Sequence, residues 1–330
     1  MIRPSDSGKN IAWEIEPSWQ VVGDTNNDLY IYSAYYDARD VNVPVIKLMG
    51  VTRIKSKNIF KCRISFNPGK KVQNLPENFY NDFKSNIHSY LDFVDVPATV
   101  SLMNEHHNLT YSACFILCHL NSQSAAGDQS IPKLVSIFLN SDSGPSVTNL
   151  LPIKTIKTKA TDSRSKTTDI GVCVKPVHSY YNQTLDLVEF IEFNKILGAS
   201  KFTFYNQSMS EEASCVLNYY SEQNDTRLLV NSWNLRDLAP QIEVHDEAGV
   251  AAVNDCLYRN MMDIHYLLMI DLDEFIVPHM NVTLKDMLTF LDLRDINLKN
   301  GKKVKSGMLA SSYNFKNAFF YREHGKYVRE

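Results

Sequence analysis

The chain has 330 residues, of which 44% are hydrophobic and 22% are charged, and its formal net charge is −3 at pH 7. This composition is typical of a globular protein, and the length favours two domains over one. A slightly acidic chain without basic clusters argues against nucleic acid as a partner and against direct binding to an anionic membrane surface. No apolar stretch in the sequence is long enough to span a membrane, which leaves two alternatives: a cytosolic protein, or one whose N-terminal anchor is missing from this chain.

The first half of the chain, residues 1–156, consists mainly of strand patterns. Apolar or alternating segments rich in β-branched and aromatic residues are separated by turn-forming clusters. These segments are LYIYSAYY (29–36), VPVIKLMGV (43–51), IFKCRISF (59–66), ATVSLM (98–103), TYSACFILCHL (110–120) and KLVSIFLN (133–140). Because no clear helix separates most of them, we predict an antiparallel sheet or sandwich, with 77–94 as a helical turn or a long loop.

A polar segment without large apolar side chains, KTKATDSRSKTT (157–168), is predicted to be a linker. After it, strand and helix patterns alternate. The predicted strands are GVCVKPV (171–177), KFTFYN (201–206), TRLLVNSW (226–233), HYLLMI (265–270) and GMLASSYNF (307–315), and the predicted helices are 184–197, 210–222, 247–262 and 283–293. This order predicts an α/β domain over 169–330, with a mainly parallel sheet covered by helices on both faces. Ligands of such sheets bind beyond the carboxyl ends of the strands.

The cysteines and the N-glycosylation triplets do not decide whether the protein contains disulfides or is secreted. The six cysteines are Cys62, Cys114, Cys118, Cys173, Cys215 and Cys256. None lies in a CxxC pair, which argues against a zinc site, and the even number permits three disulfides without requiring them. The triplets begin at Asn108, Asn182, Asn206, Asn224 and Asn281. Chance alone predicts roughly four such triplets at this Asn, Ser and Thr content, so they say little about secretion by themselves.

The segment that carries chemistry follows the apolar strand pattern HYLLMI and reads Asp271-Leu272-Asp273-Glu274-Phe275. Three carboxylates within four residues repel one another unless a cation neutralises them. In an extended segment, Asp271 and Asp273 point to the same side and can hold one hard divalent ion, Mn²⁺ or Mg²⁺, with positions left for water and phosphate oxygens. Such an ion neutralises the charge that develops on a departing diphosphate, which predicts a nucleotide-sugar transferase.

Two other interpretations compete with this one. The first is a solvated acidic loop, because a DxD pattern is short and often arises by chance; its place after the most apolar strand pattern of the chain favours the metal instead. The second is a phosphohydrolase of the haloacid-dehalogenase type with Asp271 as the nucleophile. In that class the motif follows the first strand and usually precedes Thr or Val, whereas here it follows roughly the fourth strand of the unit and precedes Glu-Phe.

Four segments together resemble glycosyltransferase family 92: SAYYDARDVNVPVIKLMG (33–50), GVCVKPVHSYYNQTLDLVEFIEFNKILGASKFTFYNQS (171–208), AVNDCLYRN (252–260) and DLDEF (271–275). They span both halves of the chain and occur in the family's order. The resemblance implies a GT-A fold, a type II membrane anchor that places the domain in the Golgi lumen, and transfer of a hexose from a UDP-sugar. The family expectation is galactose as the sugar, with an N-glycan or another glycan as the acceptor.

The resemblance also assigns expected roles to individual residues. Asp271 and Asp273 match the metal-binding DxD motif. Lys175 matches the first strand of the α/β domain, whose end faces the nucleotide, so it is expected either to contact phosphate or to be an ordinary solvated lysine. Asp255 matches the helix before DxD and is expected either to contact the sugar or nucleotide or to pair within the fold.

The remaining expectations concern what the sequence does not contain. His178 and His245 are further candidate contacts, although a structural histidine is the more common case. The family has an N-terminal anchor and a C-terminal stretch with acceptor-side residues and a metal-binding histidine, so we expect this chain to be a piece that is incomplete at both ends. An inverting transfer needs a general base, which the sequence does not identify. A non-catalytic member that still binds nucleotide or glycan is therefore the alternative.

Overall fold

The computed structural model describes a β-barrel followed by an α/β unit. The described residues are 2–4, 13–15, 17–40, 42–66, 93–120, 131–141, 147–156, 169–294, 296–299, 302–305 and 312–319. The predicted linker at 157–168 and most of the predicted turn or loop at 77–94 lie outside these residues. Among the described residues, no helix is both long and apolar enough to cross a lipid bilayer.

The described residues of the N-terminal half form ten strands. They are β1 (Ile2–Pro4), β2 (Trp13–Ile15), β3 (Gln20–Val21), β4 (Leu29–Asp37), β5 (Val45–Arg53), β6 (Phe60–Ser65), β7 (Val94–Leu102), β8 (Tyr111–His119), β9 (Leu134–Leu139) and β10 (Leu151–Ile156). Strands β1 and β2 form a separate hairpin, and the other eight form one sheet in the order β10-β9-β6-β7-β8-β5-β4-β3. Because β10 also pairs in parallel with β4, the sheet closes on itself. The strand-rich first half is confirmed, but it is a barrel rather than an open antiparallel sheet or sandwich.

Alternation along the strands builds two cores at once. On β4, Leu29 and Ile31 point into the barrel, where they join one buried apolar cluster. Tyr30, which lies between these two residues, and Tyr32, which follows Ile31, belong to a second cluster outside the barrel. Successive side chains of a strand face opposite sides, and the pattern of 29–36 serves both clusters in this way although an irregularity between Ile31 and Ser33 shifts the alternation by one residue.

The second half is an α/β unit. Its strands are β11 (Ile170–Val177), β12 (Ala199–Asn206), β13 (Arg227–Ser232) and β14 (Tyr266–Met269), which are all parallel and lie in the order β13-β12-β11-β14. Its helices are α1 (Thr184–Ile196), α2 (Glu211–Ser221), α3 (Leu235–Leu238), α4 (Gly249–Asn260) and α5 (Leu284–Arg294), and a hairpin of β15 (Ile296–Lys299) and β16 (Lys302–Lys305) follows. The predicted parallel sheet with flanking helices is confirmed.

Local signals explain where two of these helices begin and end. Helix α2 begins after Ser210, whose hydroxyl accepts a hydrogen bond from the Ala213 backbone N–H at 3.2 Å, as an N-cap residue should. Helix α1 ends before Gly198, which has a φ angle of +103°, a conformation that other residues rarely adopt.

Three expectations need correction. Strand β14, which has the most apolar strand pattern of the chain, lies at the edge of the described sheet rather than inside it, with Met269 38% exposed. The strand predicted over 307–315 is not found in its described part, residues 312–315, and the rest lies outside the described residues. Strand β10, which closes the barrel, was not predicted.

The barrel and the α/β unit share a buried core. Tyr32 and Tyr35 of the barrel belong to the same apolar cluster as Tyr205, Trp233 and Cys256 of the α/β unit. The Tyr32 and Trp233 rings lie 4.5 Å apart between centroids with their planes inclined by 62°, an edge-to-face arrangement that is favourable for aromatic rings. The two units therefore stabilise each other through the face of the barrel that carries these tyrosines.

Candidate functional site

The strand order of the α/β unit reverses between two neighbouring strands, β11 and β14, and the space beyond their carboxyl ends is called the crevice. From β11 the chain proceeds outward to β12 and β13, and it then returns to add β14 on the other side of β11. This reversal is a topological switch point, and open parallel sheets bind ligands at the carboxyl ends of the two strands that flank such a point. Lys175 lies near the end of β11, and Asp271 lies just after β14.

The structure brings two of the predicted site residues together at this point. The Lys175 Nζ atom lies 3.1 Å from Asp271 Oδ2 and 3.2 Å from Asp246 Oδ2, so one ammonium group bridges two carboxylates. All three side chains are partly exposed, at 42% for Lys175, 34% for Asp246 and 39% for Asp271. Partial burial opposes the charged form of Lys175, but the two carboxylates outweigh it, and the pKa of Lys175 is raised.

Asp246 was missed by sequence reasoning, and it lies in an unusual backbone turn. Asp246, Glu247 and Ala248 have φ angles of 49°, 50° and 61°, so three consecutive residues other than glycine are left-handed. Such residues cost on the order of 1–3 kcal/mol each and persist where the surroundings hold them. Here Arg236 forms two hydrogen bonds with the Glu247 carboxylate, at 2.8 and 2.7 Å, and Trp233 Nε1 donates to the Glu247 carbonyl oxygen at 2.7 Å.

The next residue, Gly249, leaves the space that this ion-pair cluster needs. A Cβ atom on Gly249 would lie 2.7 Å from Asp246 Oδ2 and 3.2 Å from Lys175 Cδ. The φ angle of Gly249 is −53°, an ordinary helical value, so a larger residue at this position would meet a shortage of space and not a forbidden backbone conformation. The turn and the glycine together hold the Asp246 carboxylate against Lys175.

The segment Asp271–Glu274 forms a tight turn. The Glu274 backbone N–H donates to the Asp271 carbonyl oxygen at 3.0 Å, and the Asp271 backbone N–H donates to Glu274 Oε2 at 3.1 Å. The expectation that Asp271 and Asp273 face the same side because the segment is extended is therefore wrong in its geometry. Asp273 is exposed, and the following Phe275 packs edge-on against Phe193 of α1, with centroids 5.2 Å apart.

Asp255, the other predicted contact, lies in the shared core. It is fully buried, and its carboxylate accepts hydrogen bonds from Ser33 Oγ at 2.5 Å, Tyr35 OH at 2.6 Å, Tyr205 OH at 2.6 Å and Arg259 Nη2 at 2.7 Å. Of its two alternative roles, the geometry supports pairing within the fold, because a carboxylate enclosed by these donors has no surface to offer a nucleotide. Asp255 joins β4 of the barrel to α4 and β12.

The two candidate histidines have different neighbours. His178, after β11, is exposed, and its Nδ1 atom lies 2.7 Å from Ser179 Oγ. His245 directly precedes Asp246 and stacks on His107, which lies in the barrel loop between β7 and β8, with ring centroids 3.9 Å apart. This contact places the barrel loop beside the Asp246 turn.

Comparison with known proteins identifies the α/β unit. Residues 168–326 match the sequence model of glycosyltransferase family 92. This part of the chain is a family 92 glycosyltransferase domain. A "Beta-1,4-galactosyltransferase galt-1" of Caenorhabditis elegans is 24% identical over 256 residues. That alignment covers 76% of this chain and 51% of the nematode protein, so the chain spans about half the length of this curated relative.

The alignment with the nematode protein is longer than the matched family domain, so the similarity extends into the barrel. The resemblance found in the sequence motifs is thereby confirmed. At the switch point of the family 92 domain, Lys175, Asp246 and Asp271 bring charged side chains together.

The donor atoms at the switch point fit a hard divalent ion. Asp271 and Asp273 offer partly or fully exposed carboxylates, and oxygen ligands of this kind suit Mg²⁺ or Mn²⁺. Within the described part of the chain, no cluster of three or more His, Cys, Asp or Glu side chains is arranged to hold a metal ion.

A disulfide fixes the strand that carries Lys175. Cys173 on β11 is bonded to Cys256 on α4, with both residues buried. A second disulfide joins Cys62 and Cys118 on β6 and β8, two strands that are separated by β7, and therefore crosses the barrel interior. Cys114, buried, and Cys215, exposed, are free. Of the three disulfides that the count permits, the structure has two.

Proposed function

We propose that the family 92 domain transfers a hexose from a UDP-sugar to a glycan acceptor, with Mn²⁺ or Mg²⁺ held by Asp271 and Asp273. The observation that carries this proposal is the contact between Lys175 and Asp271 across the switch point of a parallel sheet. Galactose is the proposed sugar, since the nematode relative is described as a galactosyltransferase. The order β13-β12-β11-β14 supports a GT-A-like arrangement, in which the nucleotide lies beyond the ends of β11 and β14.

The charges of the crevice suit a nucleoside diphosphate. When bound, the metal would supply positive charge to the diphosphate that departs from the sugar. Lys175 supplies a second positive charge within reach of the same crevice, and its ammonium group can leave Asp271 for a phosphate oxygen while it stays paired with Asp246. Asp246 then acts by holding Lys175 at the crevice, and the Arg236–Glu247 pair acts by holding the Asp246 turn.

We infer that the protein works in the secretory pathway. Two disulfides support this, because disulfides persist in oxidising compartments and are rare in the cytosol. A Golgi location, with the domain on the lumenal side of a membrane anchor outside this chain, is the proposal that the family resemblance adds. The partners proposed are therefore the nucleotide-sugar donor and an N-glycan or another glycan.

The proposal is tested by calorimetry of UDP binding to the full chain, with Mn²⁺ present and after chelation. We expect binding that requires the metal and that falls at least ~10-fold in Asp271→Asn and Asp273→Asn, because loss of a metal ligand costs at least as much as loss of its supporting partners. Asp24→Asn, at an exposed barrel turn, is the matched control and should bind as the wild type does. Equal UDP affinity with and without chelator would reject the proposal.

A further inference from the structure

The five Asn-X-Ser/Thr triplets, which are uninformative as sequence patterns, differ in their structural settings. Three of the asparagines are exposed, and two are partly buried. The exposed ones are Asn108, Asn182 and Asn224, and the partly buried ones are Asn206 and Asn281. An N-linked oligosaccharide is bulky and hydrophilic, so a folded protein accommodates it only where the asparagine side chain projects into solvent.

Asn108 lies at the tip of the loop between β7 and β8. Its φ angle is 59°, a left-handed value that asparagine tolerates better than most residues, and its backbone N–H donates to His106 Nδ1 at 3.1 Å. Its side-chain amide forms no hydrogen bond with any residue that the structure describes. The side chain is therefore available for modification without loss of a contact.

Asn182 and Asn224 occupy two connections at the surface of the α/β unit. Asn182 lies between β11 and α1, where its carbonyl oxygen accepts a hydrogen bond from the Thr184 backbone N–H at 3.0 Å. Asn224 lies in the turn between α2 and β13. In both cases the contacts that fix the turn use the backbone or neighbouring side chains, such as Thr226 with Asp225 at 3.0 Å, and leave the asparagine side chain outside.

Asn206 has the opposite setting. It is the last residue of β12, the second strand of a parallel sheet, and it is flanked in register by Val177 and Ser232. Its Oδ1 atom is cut off from solvent, and its carbonyl oxygen accepts a hydrogen bond from the Trp233 backbone N–H at 2.8 Å. Asn206 therefore presents less of its side chain to solvent than the three exposed asparagines do.

We propose that Asn108, Asn182 and Asn224 carry N-linked oligosaccharides and that Asn206 does not. The donor is a lipid-linked diphosphate oligosaccharide: its sugar C1 forms a bond to the asparagine Nδ2, the C1–O bond to the diphosphate breaks, and the amide loses a proton as the lipid diphosphate leaves. This proposal rests on the secretory-pathway part of the proposed function. The two disulfides support the same compartment independently of the triplets.

The test directs the full chain into the secretory pathway of cultured animal cells behind a cleavable signal peptide. The secreted protein is treated with an amidase that releases N-glycans in ¹⁸O-water, and its peptides are analysed by mass spectrometry. We expect heavy-labelled aspartate at positions 108, 182 and 224 and unmodified asparagine at 206. Label at position 206, or its absence at any of the other three, overturns the assignment.

Single Asn→Gln variants provide a second readout on gels. Asn108→Gln, Asn182→Gln and Asn224→Gln should each lower the apparent mass of the secreted protein by the mass of one N-glycan. Asn206→Gln, the matched control, should leave the apparent mass unchanged. Metal-dependent UDP binding is measured on the same secreted protein. Absence of glycans with UDP binding intact would reject this inference alone, whereas glycans without UDP binding would reject the donor-binding proposal and leave the inference standing.

Discussion

Replacement of Arg259 by methionine tests the ion pair in the core that the barrel shares with the α/β unit. Arg259 and Asp255 are in contact at 2.7 Å, and their side chains are 9% and 0% exposed. Removal of one partner of a buried pair costs about 3–5 kcal/mol, since the other charge is left uncompensated. Hydroxyl groups of Ser33, Tyr35 and Tyr205 still donate to Asp255, so we expect a loss near the lower end, about 3 kcal/mol, in the free energy of unfolding.

The control is a pair of the same length on the surface of the barrel. Arg63 and Asp95 are also 2.7 Å apart, but the Asp95 side chain is 36% exposed. Replacement of Asp95 by asparagine should cost about 0–1 kcal/mol, as exposed pairs do. Denaturant unfolding of the oxidised full chain measures both variants. If Arg259→Met costs no more than Asp95→Asn, the assignment of Asp255 as the junction of the two units is wrong.

The same pair sets a pH dependence with a definite sign. Burial alone would raise the pKa of Asp255, but Arg259 and the hydroxyl donors outweigh it, and the pKa of Asp255 is lowered. In the wild type, this stabilisation is present above the unfolded pKa of about 3.9 and is lost as the pH falls through the lower folded pKa. Without Arg259, the folded pKa of Asp255 should rise, because the largest contribution that offsets burial is removed. The deficit of the variant should therefore be largest at neutral pH and shrink on acidification.

Further predictions concern the crevice and the barrel disulfide. Lys175→Met removes the ammonium group that competes with a metal ion for the carboxylates. Mn²⁺ binding without nucleotide, measured by electron paramagnetic resonance, should therefore tighten by up to about fivefold, which corresponds to the free energy of a partly exposed ion pair. Unchanged or weaker Mn²⁺ binding would contradict the bridging role of Lys175. Gly249→Ala should displace the Asp246 carboxylate and weaken UDP binding in calorimetry. The free energy of unfolding should change by no more than about 1 kcal/mol, since alanine favours a helix. Full UDP affinity would show that the close approach of residue 249 to the Asp246 carboxylate does not matter. Joint replacement of Cys62 and Cys118 by alanine should lower the free energy of unfolding by about 2–4 kcal/mol in denaturant titrations, and no loss would contradict the bond.

Local patterns predicted the elements of the fold well, and non-local pairing limited the rest. The alternation of 29–36 and the N-cap at Ser210 depend on neighbours in sequence, and both gave the correct element. Closure of the barrel depends on β10, a six-residue strand containing Pro152 that pairs in parallel with β4 over a separation of more than one hundred residues. No local signal distinguishes such a strand from a loop.

The candidate site shows the same division. Asp271 was identified because three carboxylates follow an apolar strand pattern, and Lys175 because it lies near the end of the first strand. Asp246 was missed because its role depends on a left-handed turn and on space left by Gly249, neither of which has a periodic signature. For Asp255 the sequence left a ligand contact and pairing within the fold as alternatives, because its partners Ser33 and Tyr35 are more than two hundred residues away in sequence.

The predicted linker at 157–168 remains untested as a boundary. If proteases cut there, the shared core of Tyr32, Tyr35, Tyr205 and Trp233 should keep the two fragments together until denaturant is added. A cut in the linker would then appear on denaturing gels but not by size exclusion.

The central claim, that a nucleoside diphosphate and a metal bind at the switch point between β11 and β14, is tested most directly by a crystal structure of the full chain with UDP and Mn²⁺. The anomalous difference map locates the manganese without reference to the protein. The account predicts a peak bound by Asp271 and Asp273 and by diphosphate oxygens, with Lys175 turned from Asp271 towards a phosphate. Ordered UDP bound elsewhere, or bound at this edge without a manganese peak, would contradict it.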